Sequence, residues 1–203
     1  MMADDIQDIE KLSFERDGFV YLRPCLDLVL YWTGSIWDRR EEVVSFYERS
    51  VDLIRKDVKF FRTETMKAAA PLKKDSLGLV PFWLKKTAKK RDIYMLFLES
   101  GSVRDEPSDH AFALNATPEC GYARLILPPS FIAKSVSPFV DLAVSLAQGF
   151  PFAFGQGGWA VNFNPLEMDY KRDALRSMNA LPAVQPRSIG PFFLLVCEPY
   201  AAT

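Results

Sequence analysis

The stretch from Phe150 to Pro165 reads Phe-Pro-Phe-Ala-Phe-Gly-Gln-Gly-Gly-Trp-Ala-Val-Asn-Phe-Asn-Pro, and it constrains the fold more than any other. Gly155, Gly157 and Gly158 carry no Cβ, so the backbone there is free to take positive φ or to lie close against a neighbouring segment. Trp159, Val161 and Phe163 alternate with Ala160 and Asn162, the period of a half-buried strand. The pattern predicts a helix ending at the left edge, a glycine-dense turn in the middle and a strand beginning at Trp159. Gly157, Gly158 and Trp159 are therefore read as structural residues. A phosphate cradle is the competing reading, but a P-loop needs a following Lys and Ser or Thr at a helix start. Here a tryptophan and a strand follow.

The rest of the chain fits an α+β domain. Phe19 to Tyr31 reads as a strand interrupted at Pro24, because proline cannot donate to a ladder. Ser35, with Asp38 three residues on, resembles a capping box and opens a helix to about Arg55. Trp37, Val44, Tyr47, Val51 and Ile54 form its apolar stripe. A short strand is expected from Val58, a single helical turn carrying Trp83 over Leu79 to Leu84, and a central strand over Ile93 to Glu99. His110 to Asn115 and Gly121 to Leu127 read as an antiparallel pair. A second helix starts at Ser137, whose hydroxyl is placed to accept from first-turn amides, with Pro138 at the first helical position. Phe139, Leu142, Ala143 and Leu146 form its buried stripe, and Gly149 closes it. Neighbouring strands are joined by short loops without βαβ alternation. This predicts a mainly antiparallel sheet with two principal helices packed on one face. One domain over residues 1–203 is the simplest organisation, with residues 1–17 as a flexible acidic arm and residues 171–203 of uncertain topology.

Composition excludes several functions. A formal net charge of −1 gives no whole-molecule field of the kind nucleic-acid binders carry. Cys25, Cys120 and Cys197 are scattered and form no CxxC pair, which favours reduced thiols in the cytoplasm. The N-terminus is acidic where a secretory signal is basic and then apolar. The most apolar window, Val136 to Phe154, is broken by Pro138, Asp141, Gln148, Gly149 and Pro151, so no membrane span is expected.

Candidate chemistry is sparse. His110 is the single histidine, at a strand start beside Asp109. A surface histidine near a turn is the favoured reading there, and an enzyme acting through Asp109 and His110 is a third one; a His/Cys metal site lacks the members. No catalytic residue, cofactor or metal is expected. The acidic set Glu99, Asp105, Glu106, Asp109 and Glu119 flanks one hairpin end. Carboxylates carried there by a rigid sheet are suited to a cationic partner. The basic stretch from Lys67 to Arg91 (with Lys73, Lys74, Lys85, Lys86, Lys89 and Lys90) is interleaved with Phe82 and Trp83. That combination offers the alternative reading, a nucleic-acid-binding module.

Four segments in sequence carry a family resemblance: Phe61-Arg-Thr-Glu-Thr-Met-Lys, Pro71-Leu-Lys, Gly121-Tyr-Ala-Arg-Leu-Ile-Leu-Pro-Pro-Ser, and Gly157-Gly-Trp-Ala-Val-Asn-Phe-Asn-Pro. Over Tyr31 to Tyr170 the chain resembles the bacterial immunity proteins of type VI secretion systems, a group first catalogued as a domain of unknown function. The resemblance implies a non-enzymatic cytoplasmic antidote. It would bind and neutralise a cognate effector toxin, expected to be a restriction-endonuclease-like DNase, by blocking its active site or substrate access. It implies no direct contact with nucleic acid. Arg62, Glu64 and Met66 recur in the family as fold determinants, as do Gly157, Gly158 and Trp159. The family supplies no catalytic residues. Asp105, Glu106, Asp109 and Glu119 are the expected partner-binding residues. Beyond Tyr170 the chain departs from the family pattern, with Pro182, Pro186 and Pro191 preceding Phe192 to Cys197.

Overall fold

The computed structural model describes Ile9 and residues 13–16, 18–104 and 106–163. The organising element is β2, Phe19–Thr33, a 15-residue strand. One edge pairs with β7 (Cys120–Leu127), Leu26 facing Leu127 and Thr33 facing Cys120. The other edge pairs with β8 (Phe154–Phe163), from Leu22 opposite Phe163 to Tyr31 opposite Phe154. Leu22 also pairs with Phe14 of the short β1 (Phe14–Arg16), so β1 lies on β7's side of β2 and continues its line. Beyond β7 follow β6 (Ala111–Ala116), β5 (Tyr94–Glu99), β3 (Phe60–Thr63) and β4 (Ala70–Pro71), every pairing antiparallel. The eight strands make one sheet.

The strand expected to break at Pro24 is continuous. Pro24 faces Val161 on β8, and on the opposite edge it falls in the interval between Leu22, where β1 pairing ends, and Leu26, where β7 pairing begins. A residue without an N–H is tolerated where one ladder is already interrupted.

Helices cover one face. Leu26, Leu28, Leu30 and Trp32 point into the main core, where they meet Val43, Phe46, Tyr47, Val51 and Ile54 of α1 (Arg40–Ile54). Predicted Val44 is only half-buried. Val43 and Phe46 carry that side of the stripe instead, spaced with Tyr47, Ser50 and Ile54 at helical intervals. Before α1, Ile36–Arg39 forms a 3-10 turn, and the Ser35 hydroxyl accepts from the Trp37 amide at 3.2 Å. Tyr47 meets the Phe112 ring edge-on at 5.1 Å and donates its hydroxyl to the Leu77 carbonyl at 2.9 Å. The short α2 (Leu79–Trp83) buries Val80 and Trp83. Phe139 and Leu146 of α3 (Ser137–Ala147) enter the same core, and Arg49 of α1 donates to the Ser145 carbonyl at 2.7 Å. The Ser137 cap does not form. Val136 is already helical at φ −75°, ψ −24°, which puts Ser137 inside the first turn with no capping bond. Gly149, at φ 78°, ends the segment as expected.

The glycine-dense turn is also not a turn. Gly155, Gly157 and Gly158 lie within β8, opposite Leu30, Leu28 and Asp27. The chain reverses earlier, at Gly149 to Ala153, where Arg39 holds the Pro151 carbonyl and the Ala153 amide donates to the Tyr31 carbonyl at 2.7 Å. Trp159, opposite Leu26, packs half-buried against the main core.

Candidate functional site

The loop from β5 to β6 carries Asp105, Glu106 and Asp109 of the acidic set, and the fold engages the two described ones, Glu106 and Asp109, internally. Ser108 Oγ accepts from the Ser100 and Gly101 amides at 2.9 and 3.2 Å, closing the loop at its neck. Its backbone carbonyl accepts from Asn162 Nδ2 of β8 at 2.8 Å. Glu106 is 5% exposed. Its carboxylate accepts from the Ser102 amide at 2.5 Å and the Val103 and Val20 amides at 3.3 Å, with the Arg23 guanidinium 3.7 Å away. A buried carboxylate of this kind is stabilised by backbone donors and one cation. It ties the loop to β2, so Glu106, expected among solvated loop carboxylates, is buried.

Asp109 is half-exposed and triply engaged. Its Oδ1 accepts from the Ser100 hydroxyl at 2.8 Å and lies 3.3 Å from His110 Nδ1, while Arg23 stands 3.9 Å from Oδ2. The His110 contact, helped by Ser100 and the Arg23 charge, holds its carboxyl well below the usual carboxylate range against the opposing effect of burial. The imidazole lies between two carboxylates, with Asp57 3.9 Å from Nε2. The Ser100 hydroxyl is held by the carboxylate, not by the imidazole, and its oxygen accepts from the His110 amide at 3.1 Å. That arrangement fixes the loop.

Glu119 is elsewhere. It sits exposed in the β6–β7 turn, accepting from Thr117 Oγ1 at 2.9 Å, while its carbonyl accepts from the Gly34 amide. The whole of β6 separates it from Asp109, about 20 Å at the rise of an extended strand. The carboxylates expected at one hairpin end therefore occupy opposite ends of the sheet. Asp105 lies outside the described residues.

No local pattern marks the pair on the sheet face opposite the helices. Arg124 Nε donates to Asp27 Oδ1 at 2.9 Å, with Asp27 only 3% exposed. Beside it Cys25 is fully buried with Ala111, Ile126 and Ala160, and burial pushes its thiol far up. Asp27 and Arg124 are 97 residues apart. Only strand register brings them together.

The basic stretch divides in two. Arg91 turns inward to pair with Glu64, and its guanidinium lies 4.8 Å over the buried Trp83 ring. Lys73, Lys74, Lys85, Lys86, Lys89 and Lys90 stay exposed, as does Phe82 at 61%, with Lys85 over its ring. Trp83 is thus withdrawn from base stacking. The motif residues serve the fold in the same way: Arg62 stacks 5.0 Å over Phe97, Glu64 holds Arg91, and the Met66 amide donates to the Thr63 carbonyl at 3.0 Å. Among the described residues no group of three or more His, Cys, Asp or Glu could hold a metal ion, and no helix is long and apolar enough to cross a membrane.

No family model matches the chain, and no curated protein matches it. Among solved structures, the fold is similar to that of a Pseudomonas aeruginosa T6SS protein, PA0821, with a TM-score of 0.67 and 14% identity. The match covers 82% of this chain and 51% of that one, so the chain spans about half the length of the protein it matches. At this identity the likeness is one of fold: a mainly antiparallel α+β sheet shared with a T6SS protein.

Proposed function

We propose that the chain is an immunity protein of a type VI secretion system, which binds a cognate effector toxin and neutralises it in the cytoplasm without catalysing a reaction. The observation that carries this reading is the likeness of fold to a T6SS protein over 82% of the chain. The four motif segments support it independently. Physically, several titratable groups are spent on the fold: Glu106, Asp109 and Arg23 on one loop, Asp27 and Arg124 on the sheet, Glu64 and Arg91 beside Trp83. A protein built this way is a rigid body offering shape and surface charge, which is what steric blockade of a nuclease requires.

The test is co-expression of the chain with the product of the adjacent reading frame. Restored growth, with co-purification of the two proteins, is expected. Undiminished toxicity together with no complex would overturn the reading. Of the carboxylates assigned to the partner, Glu119 is exposed and free of the loop's internal network, so Glu119→Lys tests that assignment without unfolding the loop. An affinity unchanged by the reversal would remove Glu119 from the contact surface.

A further inference from the structure

We infer that one margin of the molecule, formed by the outer edge of β8 and the flank of α3 above it, pairs with the same margin of a second copy of this chain. The sequence marks the region. From Ser135 to Phe163 the one charged residue is Asp141, in a chain that is 25% charged overall. So little charge suits a segment covered on every side. Yet of the nine large apolar side chains that stand exposed among the described residues, five lie between positions 136 and 154. Val136, Val140 and Val144 recur every fourth residue and are 53%, 50% and 55% exposed. Phe152 and Phe154, at the entry to β8, are 41% and 58% exposed.

The fold brings these residues to one side. Phe139 of α3 rests on β8, since a Cβ built on Gly157 stands 3.5 Å from Phe139 Cε1. On one flank of α3, Arg49 of α1 donates to the Ser145 carbonyl, and α1 itself lies over β6, where Tyr47 meets Phe112. Val140 is about 140° round the helix from Ser145. The valine stripe therefore faces away from α1 and out over β8. Beneath it, β8 pairs among the described strands with β2 alone, over ten positions without a bulge. Natural edges are blunted by shortness, proline, charge or a bulge. The other edge strands are blunted: β4 is two residues with Pro71, and β1 is three with Glu15 and Arg16. The ten residues of β8, Phe-Gly-Gln-Gly-Gly-Trp-Ala-Val-Asn-Phe, use none of these devices.

A second copy fits this margin. Two uncharged strands pair antiparallel about a two-fold axis with no like charges opposed in any register. An axis normal to the sheet keeps both helix layers on one face, so the valine stripes meet above the paired strands. A surface without charge gives little by which to select a foreign partner. The area also suffices. Ten extended residues span about 33 Å and the strand and helix layers together about 20 Å, so each copy contributes on the order of 650 Å². The total of about 1,300 Å² falls within the range of about 1,200–2,000 Å² for specific interfaces. This surface is separate from the antidote reading and does not depend on it.

The experiment is analytical ultracentrifugation of the full chain alone, over about 1–200 μM. A species of twice the 23.1 kDa chain mass is expected. Val140→Lys with Val144→Lys sets like charges against each other across the axis, and Phe154→Lys supplies the charge that edge strands ordinarily carry. Each should raise the dissociation constant about tenfold or more. These positions are exposed, and an unchanged far-UV spectrum shows that the variants are folded. Phe82→Lys, at an exposed aromatic on α2, is the control and should leave the dimer intact. Amide exchange within Phe154–Phe163 should be slower in the parent than in the dissociated double variant. A chain that stays monomeric (the result if another part of it covers β8) would overturn the proposal. So would a dimer that survives both variants, one lost equally in Phe82→Lys, or one whose slowed exchange lies only in other segments.

Discussion

Gly121→Ala tests the packing argument most directly. A Cβ built on Gly121 stands 2.3 Å from Trp32 Cζ2, 2.6 Å from Cε2 and 2.8 Å from the Ala116 Cβ. Carbon atoms in comfortable contact sit about 3.5–4.0 Å apart, so the overlap exceeds about 1 Å. The indole cannot swing aside cheaply. Trp32 is 2% exposed, and its ring meets Phe150 at 5.5 Å in an edge-on contact. The alternative is to part β7 from β2 where Trp32 faces Gly121. Overpacking of this kind costs about 1–3 kcal/mol, and a rigid indole puts this case near the top of that range. The lower backbone entropy of alanine in the unfolded chain offsets about 0.5 kcal/mol. The net loss is about 2–3 kcal/mol, or about 4–12 °C in Tm for a chain of this size. Urea unfolding followed by far-UV circular dichroism measures it, with near-UV bands reporting the tryptophan environment. Gly157→Ala is the internal control. The atoms nearest its built Cβ lie 3.4–3.6 Å away, in or near ordinary contact, so that variant should be within about 0.5 kcal/mol of the parent. A Gly121→Ala loss below about 1 kcal/mol at unchanged slope would refute the reasoning.

Three other outcomes follow from the same structure. Gly158 adopts φ 156°, at the margin of what a side-chain-bearing residue accepts, so Gly158→Ala should lose about 1–2 kcal/mol although open space surrounds its Cβ; equal stability of the Gly157→Ala and Gly158→Ala variants would discount the backbone effect. Arg124→Leu leaves Asp27 buried without its cation and should cost about 3 kcal/mol or more in chemical denaturation, whereas a near-neutral effect would mean that another group compensates the carboxylate. The Asp109 carboxyl ionises well below its usual range, with its His110 contact the largest cause, so its contribution is present above the unfolded-chain value of about 3.9 and is lost as pH falls below it. Asp109→Asn should therefore flatten the acid limb of the stability curve below about pH 4, and superimposable limbs would count against the linkage.

The periodic parts of the fold were legible because periodicity is a local property. The alternation at Leu26, Leu28 and Leu30, the spacing of Tyr47, Val51 and Ile54, and the apolar run Tyr94 to Leu98 each placed an element of the right kind on the chain. The errors in the sheet share one cause, which is that the deciding contact comes from a distant strand. Proline at position 24 reads as a break until β8 supplies one ladder and the gap between β1 and β7 excuses the other. Glycines at 155, 157 and 158 read as a turn until β2 supplies ten paired positions along which they lie extended. Gly121, the position with the severest steric demand, looks ordinary in its own segment. Its requirement arises from an indole on the neighbouring strand.

Charge was harder to read than shape for the same reason, carried further. An apolar side chain has essentially one favourable fate, burial, so its pattern announces its face. A carboxylate has two: it is solvated, or it is buried against donors that cancel the loss of water. Glu106 takes the second fate because Val20 and Arg23, more than eighty residues away, arrive at its oxygens through β2. Glu119, thirteen residues after it, takes the first because the β6–β7 turn carries it to the far end of the sheet. The basic stretch sorts likewise, Arg91 inward onto Glu64 and the lysines outward to solvent. What remains exposed after this sorting is the part of the surface available to a partner. That is a smaller and differently placed set of charges than the linear sequence suggests.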